Sequence, residues 1–305
     1  MIFTTLQSSL ISGLSVLLFT VPIVCRASDS YLHKTSALAE AGDANAQNLM
    51  GKAFFRGDGV PQDYKNAAGY FRKSAEQGNA AAQAGLAYIY ATGLGLTQNY
   101  EAAIDWYRKS AEQGNIVAQL GLATLLSQGK GAIKDVPSAA KWLERAADQS
   151  SVTAQARLAE LYFSGDDGFE INYKESARWA AKAAEKGDAP AQNLLGVHYE
   201  DGYGIEKDER KAERWFRKAA QQGNAKAQSN LGRMLLSRGT RLKKDHVEGY
   251  QWLKLSFDAG EATAGVALEG FQSLLTPEEI NEGKRSVEIF KKKAQATAAS
   301  GASKK

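Results

Sequence analysis

The dipeptide Ala-Gln returns six times along this chain, at Ala46-Gln47, Ala82-Gln83, Ala118-Gln119, Ala154-Gln155, Ala191-Gln192 and Ala227-Gln228, in steps of 36 residues with one of 37. A period of this size marks a repeat array, because a unit of two short helices buries its apolar face only by stacking on its neighbours. A corner residue keeps the same beat at Gly78, Gly114, Ser150, Gly187, Gly223 and Gly260, and Asn or Asp follows in most copies, as in Asn79, Asn115, Asp188 and Asn224. Glycine ends one helix in the left-handed conformation, and the next side chain caps the helix that follows. A second series, Asp63, Asn99, Asp135, Asn172, Asp208 and Asp245, predicts the N-cap of a second helix in each copy. Loops such as GLGLTQ and GYGIEK lie ahead of these caps and let the chain reverse.

The apolar positions follow both helices. In the first, offsets four and eight from the shared alanine hold pairs such as Leu86 and Tyr90, or Leu231 and Leu235. In the second, the seventh residue after the cap is Tyr70, Trp106, Trp142, Trp179, Trp215 and Trp252, which accounts for all five tryptophans. Offsets four and twelve are mostly alanine, on the same helical face, so these six aromatics read as structural core. With only five prolines and no alternating segment, the fold is all-α.

The pattern AQxxLGxxYxxGxGV, followed by Asp, Ala, Trp, KAA and a closing glycine, resembles the Sel-one-like repeat family, a relative of the tetratricopeptide repeat. The segment AQNLLGVHYEDGYGIEKDERKAERWFRKAAQQGN, from Ala191 to Asn224, carries it nearly throughout, and the likeness spans roughly residues 31–275. Departures fall at Ser150 and at Arg241, where other copies have glycine, and both loops are expected to be less regular. The resemblance implies a right-handed superhelical solenoid of antiparallel helix pairs. It also implies adaptors and regulators that bind proteins rather than catalysts.

The expected boundaries are a signal peptide over 1–27, an N-terminal capping helix over 28–43, and six repeats at 44–79, 80–115, 116–151, 152–188, 189–224 and 225–261. A degenerate repeat and C-terminal capping helix follow over 262–293, then a disordered basic tail over 294–305. The first segment has no acidic residue, an apolar run from about Leu10 to Val24, and small residues near Cys25 and Ala27, which reads as export with cleavage near Ala27. An uncleaved membrane anchor is the alternative. Cys25 is the only cysteine, so cleavage leaves a chain free of disulfide chemistry, and the lack of any Asn-x-Ser/Thr sequon favours a bacterial envelope. Periplasmic or secreted localisation is therefore expected.

The net charge of +4 belongs to the ends. Arg26 and the five lysines from Lys291 onward are six of 38 basic residues, so the body holds 32 against 34 acidic residues. No basic face with interleaved aromatics occurs there, which argues against nucleic acid as partner.

Catalysis needs convergent polar groups. His33, His198 and His246 share no metal-ligand spacing, and His198 is expected to be solvated. Ser138-Ala139-Ala140-Lys141 matches the S-x-x-K of penicillin-recognising enzymes but lacks the supporting SDN and KTG motifs, so a β-lactam or cell-wall hydrolase is the enzymatic alternative. No catalytic residue, metal or cofactor is assigned. The expected function is a non-catalytic protein-binding adaptor or regulator of the cell envelope. Its partner is another protein or peptide, a membrane sensor's exterior domain being one form, and a membrane-anchored structural component is the other alternative. The binding face is expected on the concave wall, at offsets six and ten of the first helices: Lys52, Tyr88, Thr124, Glu160 and Arg233, with Arg56, Thr92, Gln128 and Asp201.

Overall fold

The structure, a computed structural model, describes residues 29–238 and 242–302; the segment read as a signal peptide and the loop residue Arg241 lie outside the described residues. The described residues form fifteen α-helices and two 3-10 turns, with no strand. They divide into two compact units, the first ending at Leu158 and the second starting at Ala159.

In the first unit α1 (Asp29–Glu40) is a solitary helix, followed by the pairs α2 (Ala44–Arg56) and α3 (Tyr64–Glu76), α4 (Ala80–Thr92) and α5 (Tyr100–Glu112), and α6 (Ile116–Gln128) and α7 (Val136–Asp148). The boundary falls inside α8 (Val152–Ser164). The second unit continues with α9 (Tyr173–Glu185), the pair α10 (Ala189–Asp201) and α11 (Glu209–Gln221), and the pair α12 (Ala225–Ser237) and α13 (Lys243–Asp258). It closes with α14 (Ala262–Phe271) and α15 (Pro277–Ala302). In each unit helices consecutive in the chain pack on one another, as a solenoid requires.

Capping follows the sequence pattern closely. Asn79, Asn115, Asp188 and Asn224 accept from the amide three residues on, as do Asp63, Asn99, Asp135, Asn172 and Asp208. Asp245 departs from the series: α13 starts three residues earlier, with Leu242 at its N-cap and no side-chain cap bond, so Asp245 sits in the first turn. Ser150 keeps the corner regular. It takes the left-handed conformation itself, at φ 68°, and its amide donates to the Ala147 carbonyl at 2.9 Å. At the C-terminus α15 runs through Ala302 rather than stopping where the basic tail was expected, because AQATAAS is rich in alanine, the strongest helix former.

The glutamines that set the period also tie the repeats together. Each donates its Nε2 to an alanine carbonyl of the preceding helix, as Gln83 does to Ala75 at 3.2 Å, Gln119 to Ala111 at 3.2 Å, and Gln192 to Ala184 at 3.1 Å. In four repeats the same Gln accepts from the glutamine that closes its own copy: Gln77 to Gln47, Gln113 to Gln83, Gln149 to Gln119 and Gln222 to Gln192.

In each second helix a buried side chain stands one position past the predicted aromatic. Phe71, Tyr107, Leu143, Ala180, Phe216 and Leu253 are buried there, whereas Tyr70, Trp106, Trp142 and Trp215 are half-exposed. Only Trp179 and Trp252 in the predicted register are fully buried. The half-exposed aromatics lie under cations one turn on: Lys73 over Tyr70, Lys109 over Trp106, Arg145 over Trp142 and Lys218 over Trp215. They shield the core from its rim while the cations hold their heads in water.

Candidate functional site

The nine residues expected on the binding face divide between the two units, and four of the six in the first unit converge. Tyr88 and Thr92 on α4 and Thr124 and Gln128 on α6 line one depression of about 40 Å³, together with Ala91, Tyr100, Tyr107, Gly121, Leu125 and Lys130. Its floor is built by a close approach. A Cβ on Gly121 would stand 2.6 Å from the Tyr107 ring, so glycine is what lets α6 and α5 meet there. Gly131 serves the rim: a Cβ on it would fall 2.5 Å from the Tyr100 backbone, so the loop after α6 lies flat on the start of α5.

Tyr88 corrects the expectation of an outward side chain, being only 6% exposed. Its ring packs edge-on against Phe55 at 5.9 Å, and it forms a wall of the depression rather than a projecting contact. Tyr107 beneath it is 2% exposed, and burial, aided by the neighbouring Tyr88 phenol, pushes its hydroxyl far above the usual tyrosine range. The hydroxyls of Thr92 and Thr124 donate to the carbonyls of Tyr88 and Leu120 at 2.8 and 2.7 Å, which turns their lone pairs outward. Thr124 also accepts from Arg157 Nη1 at 2.9 Å. Lys130 lies 5.6 Å from the centre of the Tyr100 ring.

Lys52 and Arg56 stand one turn apart on α2 and are both half-buried. Burial, and after it the Arg56 guanidinium, holds the Lys52 ammonium below the usual lysine range. Arg56 reaches Asp58 at 3.7 Å. The other three residues belong to the second unit, where Glu160, Asp201 and Arg233 are exposed. Arg233 forks onto both carboxylate oxygens of Glu200 at 2.9 Å, a geometry that engages its guanidinium within the repeat array.

Sequence reasoning missed Tyr100, Tyr107, Gly121, Leu125 and Lys130 as pocket residues. A signal for two of them existed: Tyr107 stands one position past the tryptophan register, and in AQLGLA the glycine sits two residues before the place that glycine holds in AQNLLG.

His198 also departs from expectation. It is fully buried, with Nε2 at 2.8 Å from Ser176 Oγ and Nδ1 at 2.7 Å from the Tyr203 carbonyl, and the Phe163 ring meets it edge-on. Since Ser176 Oγ donates to the Ala159 carbonyl at 2.7 Å, the pair is locked into backbone rather than turned to a cleft. Burial lowers the imidazole's proton affinity. Ser138 gives its amide to Asp135, whose carboxylate also meets the serine side chain, while Lys141 is exposed.

The second unit carries a wider open depression of about 590 Å³ lined by Arg217, Lys243, Lys244, Glu248 and Glu282. Its charges are largely met from within, Arg217 by Glu213 and Glu248, and Lys243 by Glu278 and Glu282. Among the described residues no cluster of three or more His, Cys, Asp or Glu has the geometry to hold a metal, and no helix is long and apolar enough to cross a membrane.

Comparison with known proteins places these features in one family. The chain is similar to a protective antigen present in uropathogenic Escherichia coli strains displaying an SLR fold, with 33% identity and a TM-score of 0.74 over 85% of this chain. It spans 56% of that protein's length. A Sel1 repeat protein from Oxalobacter formigenes matches at 30% identity and a TM-score of 0.60, covering 74% of this chain and 93% of that one. No curated relative matches. The Sel1 repeat model matches residues 44–79, 80–115, 116–151, 152–188, 189–224 and 225–261, and with six consecutive copies sharing the glutamine-to-alanine bond and the left-handed corner, the chain belongs to the Sel1 repeat family.

Proposed function

We propose that the chain is an exported bacterial adaptor that holds another protein against the first helices of its repeats and catalyses no reaction. Sel1 repeat proteins are in general protein-interaction scaffolds, and the observation that carries the reading here is the depression between α4 and α6. It is apolar at the floor and ringed by a few polar groups, the makeup of a side-chain receptor. The polar groups that sit deepest, Ser176 and His198, face each other and the backbone, which supports a binding role over a chemical one. Export rests on the composition of residues 1–27 and on the single cysteine within them.

A photo-crosslinking residue at Thr124 or Gln128 is expected to capture a protein from the native envelope, while the same residue at Arg108, exposed on α5, captures none. Capture from Arg108 alone would reject the first-helix face. N-terminal sequencing of the mature protein is expected to begin at Ser28. A retained Met1 would favour the anchored structural component.

A further inference from the structure

The only charges on α2, α4 and α6 are two cations, Lys52 and Arg56, both on α2, and no acidic residue on these helices answers them. Like charges one helical turn apart repel, and half-burial strengthens the repulsion by removing water. Among the described residues Lys52 makes no ion pair, and the Asp58 carboxylate that Arg56 reaches is exposed and 3.7 Å away. One helix over lies the small apolar depression floored by Tyr107 and Gly121, with Lys130 at its far rim. Neither α4 nor α6 has a fully exposed residue, so this surface is recessed between its neighbours.

The geometry points to one occupant for this face: an extended segment of a partner protein that seats a small aliphatic side chain between α4 and α6 and lays a carboxylate side chain over Lys52 and Arg56. The inference rests on the partner-binding reading above and specifies the chemistry of the partner. A volume of about 40 Å³ suits alanine or valine better than an aromatic ring. Lys52 and Tyr88 share the same register position in consecutive first helices, and packed helices lie about 8–10 Å apart. The depression lies beyond Tyr88, about one and a half helix spacings from Lys52, and an extended chain advances about 3.3 Å per residue, so acid and aliphatic residue stand about four positions apart. Thr92, whose proton is committed to the Tyr88 carbonyl, offers an acceptor to a backbone amide of that segment, and Gln128 offers both donor and acceptor.

The test is selection of random heptapeptides displayed on phage against the full chain, followed by fluorescence-anisotropy titration of the selected peptides. Selected sequences are expected to carry Asp or Glu about four positions from Ala or Val and to bind more weakly as salt rises. Combined Lys52→Glu and Arg56→Glu is expected to weaken binding by about tenfold or more, as is Gln128→Trp at the mouth of the depression, while Lys226→Glu in the second unit leaves it unchanged. Circular dichroism checks the fold of each variant, with Lys52→Gln and Arg56→Gln replacing the reversal if it unfolds. Enrichment of peptides without an acid, absence of enrichment, or affinity indifferent to Lys52 and Arg56 would each overturn the inference. Where such a result accompanies crosslinking from Thr124, the partner-binding reading stands and only this occupant falls; where Thr124 captures nothing, both fall.

Discussion

Phe71 touches two glycines at once. A Cβ on Gly51 would lie 2.6 Å from its ring and one on Gly85 3.1 Å away, so the ring is wedged between two successive first helices. Tyr107 repeats one side of this arrangement, against Gly121. The wedge carries more of the packing than the tryptophan beside it, because the tryptophan in most copies keeps part of its surface in water. Phe71→Ala is expected to cost about 3–5 kcal/mol, a large cavity in a closed space. Trp142→Ala is expected to cost about 1–2 kcal/mol, and urea unfolding of both variants checks the order. Ser150 gives a gain of the opposite sign: its left-handed φ of 68° is strained for an L-residue with a Cβ, so Ser150→Gly is expected to stabilise by about 1 kcal/mol in the same assay. The sequence located the aromatic register to within one residue. A helical face is about 100° wide, so neighbouring offsets seven and eight both border the core, and periodicity alone does not say which is deeper.

At the scale of the element, the pair α9 and α10 differs from the others by holding polar groups where they hold alanine and an aliphatic residue. Ser176 occupies the place of Ala67 and Ala103, and His198 that of Ile89 and Leu125. The fold prefers the neutral imidazole, since burial lowers its pKa below the ordinary 6.5. In the unfolded chain the same histidine takes up a proton near 6.5, so stability is level above that pH and falls as pH drops toward the lowered folded value. Urea midpoints measured from pH 7.5 down to pH 5 are expected to decline, and His198→Leu is expected to flatten that part of the curve. A slope unchanged in the variant would place the proton uptake elsewhere. His198 was unreadable as a buried residue because histidine carries no hydropathic signal; its offset of seven from Ala191, filled by Ala53, Ile89 and Leu125 in other copies, was the available clue.

For the molecule as a whole, the periodicity gave the helix pairs, their caps and their order, while the division inside α8 has no counterpart in the sequence. Its AQARLAELYF carries the same stripe as every other first helix. What distinguishes the ends is covering. α15 lays Val287 into the cluster that holds Trp252 and Leu235, sets Phe290 edge-on to Trp252 at 5.3 Å, and pairs Glu279 with His246 at 2.9 Å. A chain ending at Leu275 is expected to lose Tm by several degrees, roughly the effect of 2–3 kcal/mol in a domain of this size, and to bind a hydrophobic dye that the full chain does not.

The glutamine bonds settle how an array like this can change length. Every copy offers an amide to the alanine carbonyl behind it, and the first five present a closing alanine carbonyl to the copy ahead, so the faces of these copies are complementary to any sibling. Inserting or deleting one whole 36-residue module therefore leaves each junction chemically matched, whereas a gain or loss of half a module strands an amide on one side and a carbonyl on the other. Growth by duplication is thus the route this architecture tolerates.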